Sequence, residues 1–365
     1  MFYQYADSGS WTESTYRANE SDFELLKFRQ RVAVNLADRT TASTMIGERV
    51  AMPAAIAPVG FTGMQHANGE ILAAQAAEAF GVPFTLSTMS ICSIEDVAAQ
   101  TTRPFWFQLY AMKDRDFNRR LIERARAVGC SALVVTLDLQ VLGQRHNDIR
   151  NGLSAPPKPT LSTIADLVTK PRWCLGMLGA KRWVFGNIVG HIKEVDDMQS
   201  LSSWVSGQFD PKLSWDDVEE IKNIWGGKLI LKGIMDPEDA RRAVQVGADA
   251  VVVSNHGGRQ LDGAPSSISA LPAIVDAVGD KTEVWVDGGI RSGQDVLRAI
   301  ALGAKGTLLG RAPVYGLGAL GGQGVTRALE IIQKELDLSM AMCGHRDIQN
   351  VTSEILLNPG QFRNT

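Results

Sequence analysis

Eight short apolar runs, recurring at a regular spacing, limit the fold of this sequence more than any other feature. They are AAIAPVG (54–60), PFTLST (83–88), FWFQLY (105–110), ALVVTLD (132–138), LILKGI (229–234), AVVVSN (250–255), EVWVDGG (283–289) and GTLLGR (306–311). Nearly continuous apolar runs of this length predict strands that are buried on both faces, as in a parallel sheet. With one exception, successive runs start roughly 20 to 30 residues apart, which suits one strand and one helix per unit.

Helical patterns fill most of the intervals between these runs. Four of them, at 69–81, 116–129, 236–247 and 292–303, end on a glycine, a common helix stop. Eight strands that alternate with helices predict an α/β fold, a (β/α)8 TIM barrel, formed by a single domain over residues 1–365. The one wide interval separates the fourth run from the fifth. It predicts a long insertion after strand 4, which we place at 155–210, over the barrel mouth.

Composition excludes several classes of protein. The formal net charge of −3 argues against a general nucleic-acid binder. The four cysteines are far apart and form no C-x-x-C pair, so we expect neither a disulfide framework nor a metal site. The first twenty residues lack the basic and apolar regions of a signal peptide, and no apolar run is long enough to span a bilayer.

Polar side chains gather at the carboxyl ends of the predicted strands. They are Ser87, Gln108, Tyr110, Thr136, Asp138, Lys232, Ser254, His256, Asp287 and Arg311. Active sites of (β/α)8 barrels are built at this end, from several strands. A solvated loop explains any one of these residues equally well, but a recurrence at the same end of successive strands favours a functional site.

Two glycine-rich turns follow the last two strands, VDGGIRSG (286–293) and LLGRAPVYG (308–316). Barrel enzymes often bind phosphate at this place, because glycine lets backbone N–H groups approach an anion. Arg291 and Arg311 would add paired hydrogen bonds. Lys232, at the end of strand 5, either extends to solvent or serves an anionic partner in the barrel mouth.

The stretch SNHGGRQLDG (254–263) adds a candidate base and a candidate carboxylate clamp. His256 can take up a proton near neutral pH, and Arg259 can hold a carboxylate through two parallel hydrogen bonds. Asp138 can orient the imidazole and stabilise its protonated form. A lone histidine at a strand end is more often structural. Beside a carboxylate clamp and a phosphate site, however, it favours oxidation of a 2-hydroxy acid.

The segments SNHGGRQLDG, DGGIRSGQDV, ALGAKGTLLGRA, WFQLY and LKGI resemble the FMN-dependent L-2-hydroxy acid oxidising family. Within it, APVGFTGM, PFTLSTMSICSIEDVA and GQFDPKLSWDD are most similar to the bacterial quinone-linked L-lactate dehydrogenases. The resemblance implies that His256 is the active-site base, paired with Asp138. It implies that the substrate is bound by Tyr5, Tyr110, Arg145 and Arg259. It implies that FMN is bound by Pro58, Val59, Gly60, Ser87, Gln108, Thr136, Lys232, Ser254, Asp287, Gly289, Arg291, Gly310 and Arg311.

The same resemblance implies an activity and its partners. The expected reaction is oxidation of an L-2-hydroxy acid, L-lactate to pyruvate, with electrons passed to a quinone or another acceptor. It implies a homo-oligomer, a tetramer, located at the cytoplasmic face of the inner membrane as a peripheral protein or in the cytoplasm. Whether His256 takes the hydroxyl proton or the C2 proton stays open, as does the side chain of the acid.

Four alternatives remain: an (S)-mandelate-type dehydrogenase, an oxygen-using oxidase, an FMN-dependent isomerase and a barrel without catalysis. Many oxidases of this family have alanine where Gly60 stands, which disfavours oxygen as the acceptor. The carboxylate clamp and the His256–Asp138 pair disfavour the isomerase. The presence of Lys232, His256 and Arg259 disfavours a scaffold.

The insertion itself carries a local excess of positive charge. Segment 155–195 contains Lys158, Lys170, Arg172, Lys181, Arg182 and Lys193 against Asp166 and Glu194, and it includes Trp173 and Trp183. Basic and aromatic residues interleaved with apolar ones are typical of a peripheral membrane contact. The alternative is a lid that packs on the barrel and excludes water.

Overall fold

The computed structural model describes residues 2–151, 165, 167–191 and 207–362. Much of the predicted insertion, including Lys158, Asp166, Lys193 and Glu194, lies outside the described residues. A short antiparallel hairpin, β1 (Ser43–Met45) and β2 (Glu48–Val50), precedes the main sheet. Eight parallel strands then form that sheet: β3 (Ala54–Ile56), β4 (Thr85–Ser87), β5 (Trp106–Tyr110), β6 (Ala132–Thr136), β7 (Lys228–Ile234), β8 (Ala250–Val253), β9 (Glu283–Asp287) and β10 (Gly306–Leu309).

The main sheet closes into a barrel. Its order is β3-β10-β9-β8-β7-β6-β5-β4, and a parallel bridge between Ile56 and Phe84 joins the first strand to the last. Each of the eight predicted strands is present, and each pairs in parallel with its neighbours. The prediction of a (β/α)8 barrel is therefore confirmed.

The described helices surround this barrel and cover part of its mouth. They are α1 (Phe2–Ala6), α2 (Ser14–Leu25), α3 (Thr62–Gln65), α4 (Gly69–Phe80), α5 (Ile94–Ala98), α6 (Arg115–Ala127), α7 (His146–Arg150), α8 (Pro171–Leu178), α9 (Trp215–Trp225), α10 (Pro237–Gln245), α11 (Ser267–Val278), α12 (Gly293–Ala301), α13 (Arg311–Leu320) and α14 (Gly322–Met342). The four glycine stops are confirmed. Gly81, Gly129, Gly247 and Gly303 follow α4, α6, α10 and α12 closely, all with positive φ.

The amino end of the barrel is filled with apolar side chains. Trp106 and Trp285 stack inside it with ring centroids 5.3 Å apart, and both are essentially unexposed. The hairpin adds Met45, Ile46 and Val50 to the same cluster. Since this end is packed shut, a ligand has access only from the carboxyl end of the strands.

The described part of the insertion packs against loops at that carboxyl end. The side chain of Asn187 accepts a hydrogen bond from the Ile94 N–H at 2.9 Å and donates to Ser90 Oγ at 2.9 Å. The Gly186 N–H donates to the carbonyl of Ile91 at 3.1 Å. Phe185 and Ile188 are buried. These contacts place residues 185–188 beside the loop that follows β4. The extent of the insertion over 155–210 stays a prediction.

Helix α2 presses directly on the loop after β9. A Cβ atom at Gly289 would lie 1.8 Å from the carbonyl oxygen of Asn19, and Gly289 has a φ of 78°. Only glycine allows the helix and the loop to approach this closely, so the glycine-rich turn is a packing requirement as well as a candidate phosphate site.

We predict that Gly289→Ala destabilises the protein far more than Gly129→Ala does. Gly129 has a φ of 80° but open space around its Cβ position, so alanine there suffers mainly the left-handed backbone cost of about 1–2 kcal/mol. Gly289→Ala adds a backbone clash, and we expect a loss above about 4 kcal/mol. Urea unfolding of both variants without added FMN measures the difference, and equal losses would contradict the close packing of α2.

Candidate active site

A cavity of about 430 Å³ opens at the carboxyl ends of the strands. Fourteen of the residues proposed from the sequence line it: Tyr5, Pro58, Val59, Gly60, Tyr110, Arg145, Lys232, His256, Arg259, Asp287, Gly289, Arg291, Gly310 and Arg311. The other five, Ser87, Gln108, Thr136, Asp138 and Ser254, do not line the cavity. They lie behind its wall, hydrogen-bonded to one another or to the lining residues.

One polar chain runs across β7, β8 and β9 at the floor of the cavity. Lys232 Nζ lies 2.7 Å from Asp287 Oδ2 and donates to Ser254 Oγ at 2.8 Å. Ser254 in turn donates to Asp287 Oδ2 at 2.9 Å. Burial by itself would lower the pKa of Lys232, but the charges of Asp287 and Asp138 and the hydrogen bond to Asp287 together outweigh it and raise that pKa. Lys232 is therefore a fixed cation facing the cavity, and the solvent-extended alternative is wrong.

A second polar chain crosses β4, β5 and β6. Ser87 Oγ donates to Gln108 Oε1 at 3.1 Å, and Gln108 Nε2 donates to Thr136 Oγ1 at 3.0 Å. All three side chains are buried, and their mutual bonds fix which way the amide of Gln108 faces. Direct FMN contacts by these residues stay a prediction.

The candidate base and its carboxylate meet from different strands. His256 Nδ1 lies 2.9 Å from Asp138 Oδ1. Asp138 reaches this position because Gly233 leaves room for it. A Cβ at Gly233 would lie 2.8 Å from Cβ and Cγ of Asp138, and the φ of Gly233 is 102°. His256 itself has a φ of 61°, a strained conformation for a residue with a side chain.

The protonation of His256 depends on two opposing effects. Burial lowers its pKa below the usual value, while the charge and hydrogen bond of Asp138 act to raise it, and burial dominates. The imidazole is therefore neutral at physiological pH, as a base must be before it accepts a proton. The adjacent carboxylate then stabilises the imidazolium once it forms.

Two arginines lie at the same end of the cavity as His256. The guanidinium of Arg259 stands 4.5 Å from the ring centroid of Tyr5 and donates to the Tyr5 carbonyl. Burial and the neighbouring Arg145 lower the pKa of Arg259 to about 10. Because its charged form is disfavoured in this environment, the guanidinium of Arg259 would be stabilised by a negatively charged partner. A substrate carboxylate between the two arginines would relieve their repulsion.

Arg291 and Arg311 also line the cavity, but neither guanidinium has all its donors free. Arg311 donates to the carbonyls of Ala6, Ser8 and Gly257 at 2.7, 2.9 and 3.1 Å. Arg291 pairs with Glu20 Oε1 at 2.6 Å. The Nη1 of Arg311 makes none of these three bonds, so a phosphate contact by this residue stays a prediction.

Sequence reasoning missed most of the apolar wall. The lining also includes Phe61, Phe185, Trp183 and Phe209, and the Phe61 and Phe185 rings meet edge to face with centroids 4.6 Å apart. Phe61 has a φ of 59°, which no apolar pattern in the sequence indicates. These side chains come from loops, where an aromatic residue gives no periodic signal.

One missed residue is charged. Asp148 lines the cavity from α7, with Oδ2 3.7 Å from Arg145 Nη1 and with Oδ1 buried and unpartnered. Burial raises the pKa of its carboxyl. Its place three residues after Arg145 was the signal available, since that spacing puts both on one face of a helical turn.

Comparison with known proteins agrees with this geometry. The FMN-dependent dehydrogenase family model matches residues 1–358. The chain belongs to this family. An L-lactate dehydrogenase of Ectopseudomonas mendocina (strain ymp) is 46% identical over 98% of this chain and 94% of its own length. An L-lactate dehydrogenase of Azorhizobium caulinodans is 48% identical over the same shares.

The fold has a close solved counterpart. The crystal structure of a monotopic membrane protein, (S)-mandelate dehydrogenase, superposes with a TM-score of 0.93 at 34% identity, covering 98% of this chain and 94% of the other. The family member described here is thus an FMN-dependent oxidoreductase with a (β/α)8 barrel.

The cavity fits FMN. Its walls at Pro58, Val59 and Leu308 are apolar, as a flat ring system requires, and the buried cation of Lys232 faces it. The positively charged side, with Arg291 and the glycine-rich loop, suits a phosphate. The chemistry that FMN supplies when bound is the acceptance of two electrons.

We predict that Asp138→Asn shifts the acid limb of the pH–rate profile to lower pH while reducing the rate. The amide keeps the shape of the side chain but removes the charge that raises the pKa of His256, so that pKa falls further. A weaker base, whose protonated form is no longer stabilised, should reduce flavin about 10²–10⁴-fold more slowly. Stopped-flow reduction from pH 4.5 to 8 measures both effects. An acid limb that moved to higher pH would contradict the assigned pairing.

Proposed function

We propose that this FMN-dependent dehydrogenase oxidises L-lactate to pyruvate and passes the electrons to a quinone. The observation that carries the proposal is that His256, backed by Asp138, lines the same cavity as the cation Arg259. That arrangement suits a residue that binds a carboxylate beside a base that takes up a proton from the 2-hydroxy group or from C2. The names of relatives at 46% and 48% identity support lactate as the acid.

In this proposal each polar residue has one task. Arg259 and Arg145 bind the substrate carboxylate, and Tyr5 and Tyr110 contact the substrate beside them. His256 takes one of the two protons that the acid loses. FMN, when bound, would accept the two electrons that the acid loses at C2, and the second proton would be released. A quinone then takes up two electrons and two protons to become a quinol, which balances the cycle.

Lys232 and Arg311 act on the cofactor side in this proposal. Lys232 would stabilise negative charge on a bound ring system, and Arg291 and Arg311 would hold the phosphate. Ser254 holds Lys232 in place by a hydrogen bond, and Ser87, Gln108 and Thr136 would contact the flavin from the wall across β4, β5 and β6. A tetramer stays a prediction.

Oxidation of (S)-mandelate is the second candidate. The fold of an (S)-mandelate dehydrogenase matches over nearly all of this chain, and Phe61, Phe185 and Trp183 give the cavity an aromatic wall. Anaerobic mixing of the FMN-loaded protein with L-lactate, D-lactate and (S)-mandelate separates the two. We expect bleaching of the flavin by L-lactate at the highest kcat/KM. A preference for (S)-mandelate would replace lactate by the aryl acid, and no bleaching by any of the three would refute 2-hydroxy acid oxidation.

We predict that His256→Ala leaves FMN binding nearly intact and slows flavin reduction by at least about 10²-fold, because it removes the base but no cofactor contact. FMN affinity comes from fluorescence quenching and the reduction rate from stopped flow. Reduction within tenfold of the parent would rule out this role.

We predict that Arg259→Lys weakens binding of the acid about 10-fold or more while FMN affinity stays within about twofold. An ammonium keeps the charge but loses the planar two-point contact with a carboxylate. Titration of the oxidised enzyme with pyruvate, followed by flavin absorbance, measures the loss. Unchanged pyruvate affinity would make Arg145 the main clamp.

We also propose peripheral membrane contact through α8, although the structure alters the expected details. Trp173 does not point away from the barrel. Its indole N–H donates to the Met64 carbonyl at 3.0 Å, and its ring stacks on Phe2. Lys181 lies 2.6 Å from Asp96, and Arg182 pairs with the same carboxylate. The most exposed apolar side chains of α8 are Leu175 and Leu178, at 69% and 76%, and Trp183, which follows α8, is 49% exposed.

No described helix is both long and apolar enough to cross a bilayer. We predict that Leu175→Ser/Leu178→Ser reduces co-sedimentation with anionic vesicles at least about threefold, because two exposed apolar side chains no longer enter the interface. The matched control is Leu320→Ser/Leu338→Ser, at exposed positions on α13 and α14. If both doubles sediment like the parent, α8 does not bind the membrane and packs as a lid.

A further inference from the structure

Asp7, Tyr16 and Tyr315 form a hydrogen-bonded cluster, called here the Asp7 knot, which no proposed catalytic or binding role has involved so far. Asp7 Oδ1 accepts from the Tyr16 hydroxyl at 2.9 Å and from the Tyr315 hydroxyl at 2.6 Å. Burial would raise the pKa of Asp7, but the hydrogen bonds from Tyr315, Tyr16 and Tyr3 and the charge of Arg311 together outweigh it and hold that pKa below its usual range. Asp7 is therefore an anion that ties the segment after α1 to both α2 and α13.

The residues on either side of Asp7 bind the cofactor-side arginine. The carbonyls of Ala6 and Ser8 accept from Arg311 at 2.7 and 2.9 Å. The guanidinium of Arg311 also stands 4.6 Å from the ring centroid of Tyr16, which is itself bonded to Asp7. The knot thus encloses Arg311 on several sides and sets the direction of its remaining donors.

The same segment controls the substrate side. Tyr5, two residues before Asp7, lies under the guanidinium of Arg259 and accepts a hydrogen bond from it. Arg311 also donates to the carbonyl of Gly257, the residue after His256, at 3.1 Å. The contacts around the Asp7 carboxylate therefore extend to Tyr5, to the loop that carries His256, and to Arg311 on the proposed phosphate side.

Helix α1 has five residues, too few for a helix that is stable on its own. At its first residue, the Gln65 side chain donates to the Phe2 carbonyl at 2.6 Å, and Phe2 stacks on Trp173. Nearer to Asp7, the Tyr3 ring lies 5.7 Å from that of Tyr315, and Tyr5 meets Phe61 edge to face with ring centroids 5.3 Å apart. The place of Tyr5 within the cavity is thus set by the Asp7 end of α1 together with the contact to Phe61.

We propose that Asp7 is a positioning residue that acts through Tyr16 and Tyr315. It holds Tyr5 against Arg259, and it holds the guanidinium of Arg311 in place at the edge of the cavity. It touches neither the acid nor FMN. Its effect on the acid rests on the proposed binding at Arg259, so binding is measured separately from turnover.

The test compares Asp7→Ala and Asp7→Asn with a matched carboxylate, Asp22→Ala. Asp22 is half-buried on α2 and accepts from Ser266 Oγ at 2.6 Å, but it has no such bond to α1 or Arg311. We expect the Kd for pyruvate in the FMN-loaded protein to rise about 10-fold in Asp7→Ala, about 1.4 kcal/mol, and the KM for L-lactate to rise with it. The kcat should fall less than about threefold, because the base is untouched. Asp22→Ala should change neither Kd nor KM by more than about twofold.

Two further variants keep the test decisive if Asp7→Ala folds poorly. Tyr315→Phe removes the shorter of the two hydrogen bonds and should raise the pyruvate Kd several-fold. The double variant Asp7→Asn/Tyr315→Phe should be no weaker than the more affected single variant, since both changes break one contact. Asp7→Glu should partly restore affinity.

Several outcomes would overturn the proposal. They are an unchanged pyruvate Kd in Asp7→Asn and Tyr315→Phe, additive effects in the double variant, or an equal loss of affinity in Asp22→Ala. Failure of the parent to oxidise L-lactate would contradict the proposed function instead. The affinity for FMN would then still report on the position of Arg311. We expect FMN affinity to fall at least threefold in Asp7→Ala and to be unchanged in Asp22→Ala.

Discussion

Every polar side chain of the site depends on the closure of one parallel sheet. The bridge between Ile56 and Phe84 joins β3 to β4, so residues that end eight different strands face one common space. Closure also makes the interior too narrow for anything but side chains, and the stacked Trp106 and Trp285 fill the amino end. The cavity can therefore form only at the carboxyl end, where residues that are far apart in the sequence come together.

Within that space, charge and backbone strain are concentrated together. Lys232 and Asp287 are a buried ion pair, which persists because Ser254 completes its hydrogen bonds. Isolated, either charge would be costly. Beside this pair, His256 and Phe61 both adopt left-handed backbone conformations. Strain of this kind is retained where surrounding contacts over-determine it, as expected at a working site.

The strands, the glycine stops and part of the cavity lining could be predicted from sequence, because each depends on a local pattern. The periodic apolar runs predicted the barrel, and the polar residues and glycines at the strand ends predicted that part of the lining. The contacts that could not be predicted join residues far apart in the chain. Examples are the bond between Asp7 and Tyr315, and the packing of Trp173 on Met64, which the interfacial pattern had suggested would face lipid. No spacing rule connects such pairs.

In the proposed site, the base, the carboxylate clamp and the cofactor share this one cavity. A crystal structure of the protein with FMN and pyruvate would test this arrangement. We expect the ring system between the Pro58–Gly60 segment and Lys232, the phosphate beside Arg291, and the pyruvate carboxylate on Arg259 with His256 facing its C2. Pyruvate bound away from Arg259, or FMN seated so that His256 cannot reach the acid, would contradict it.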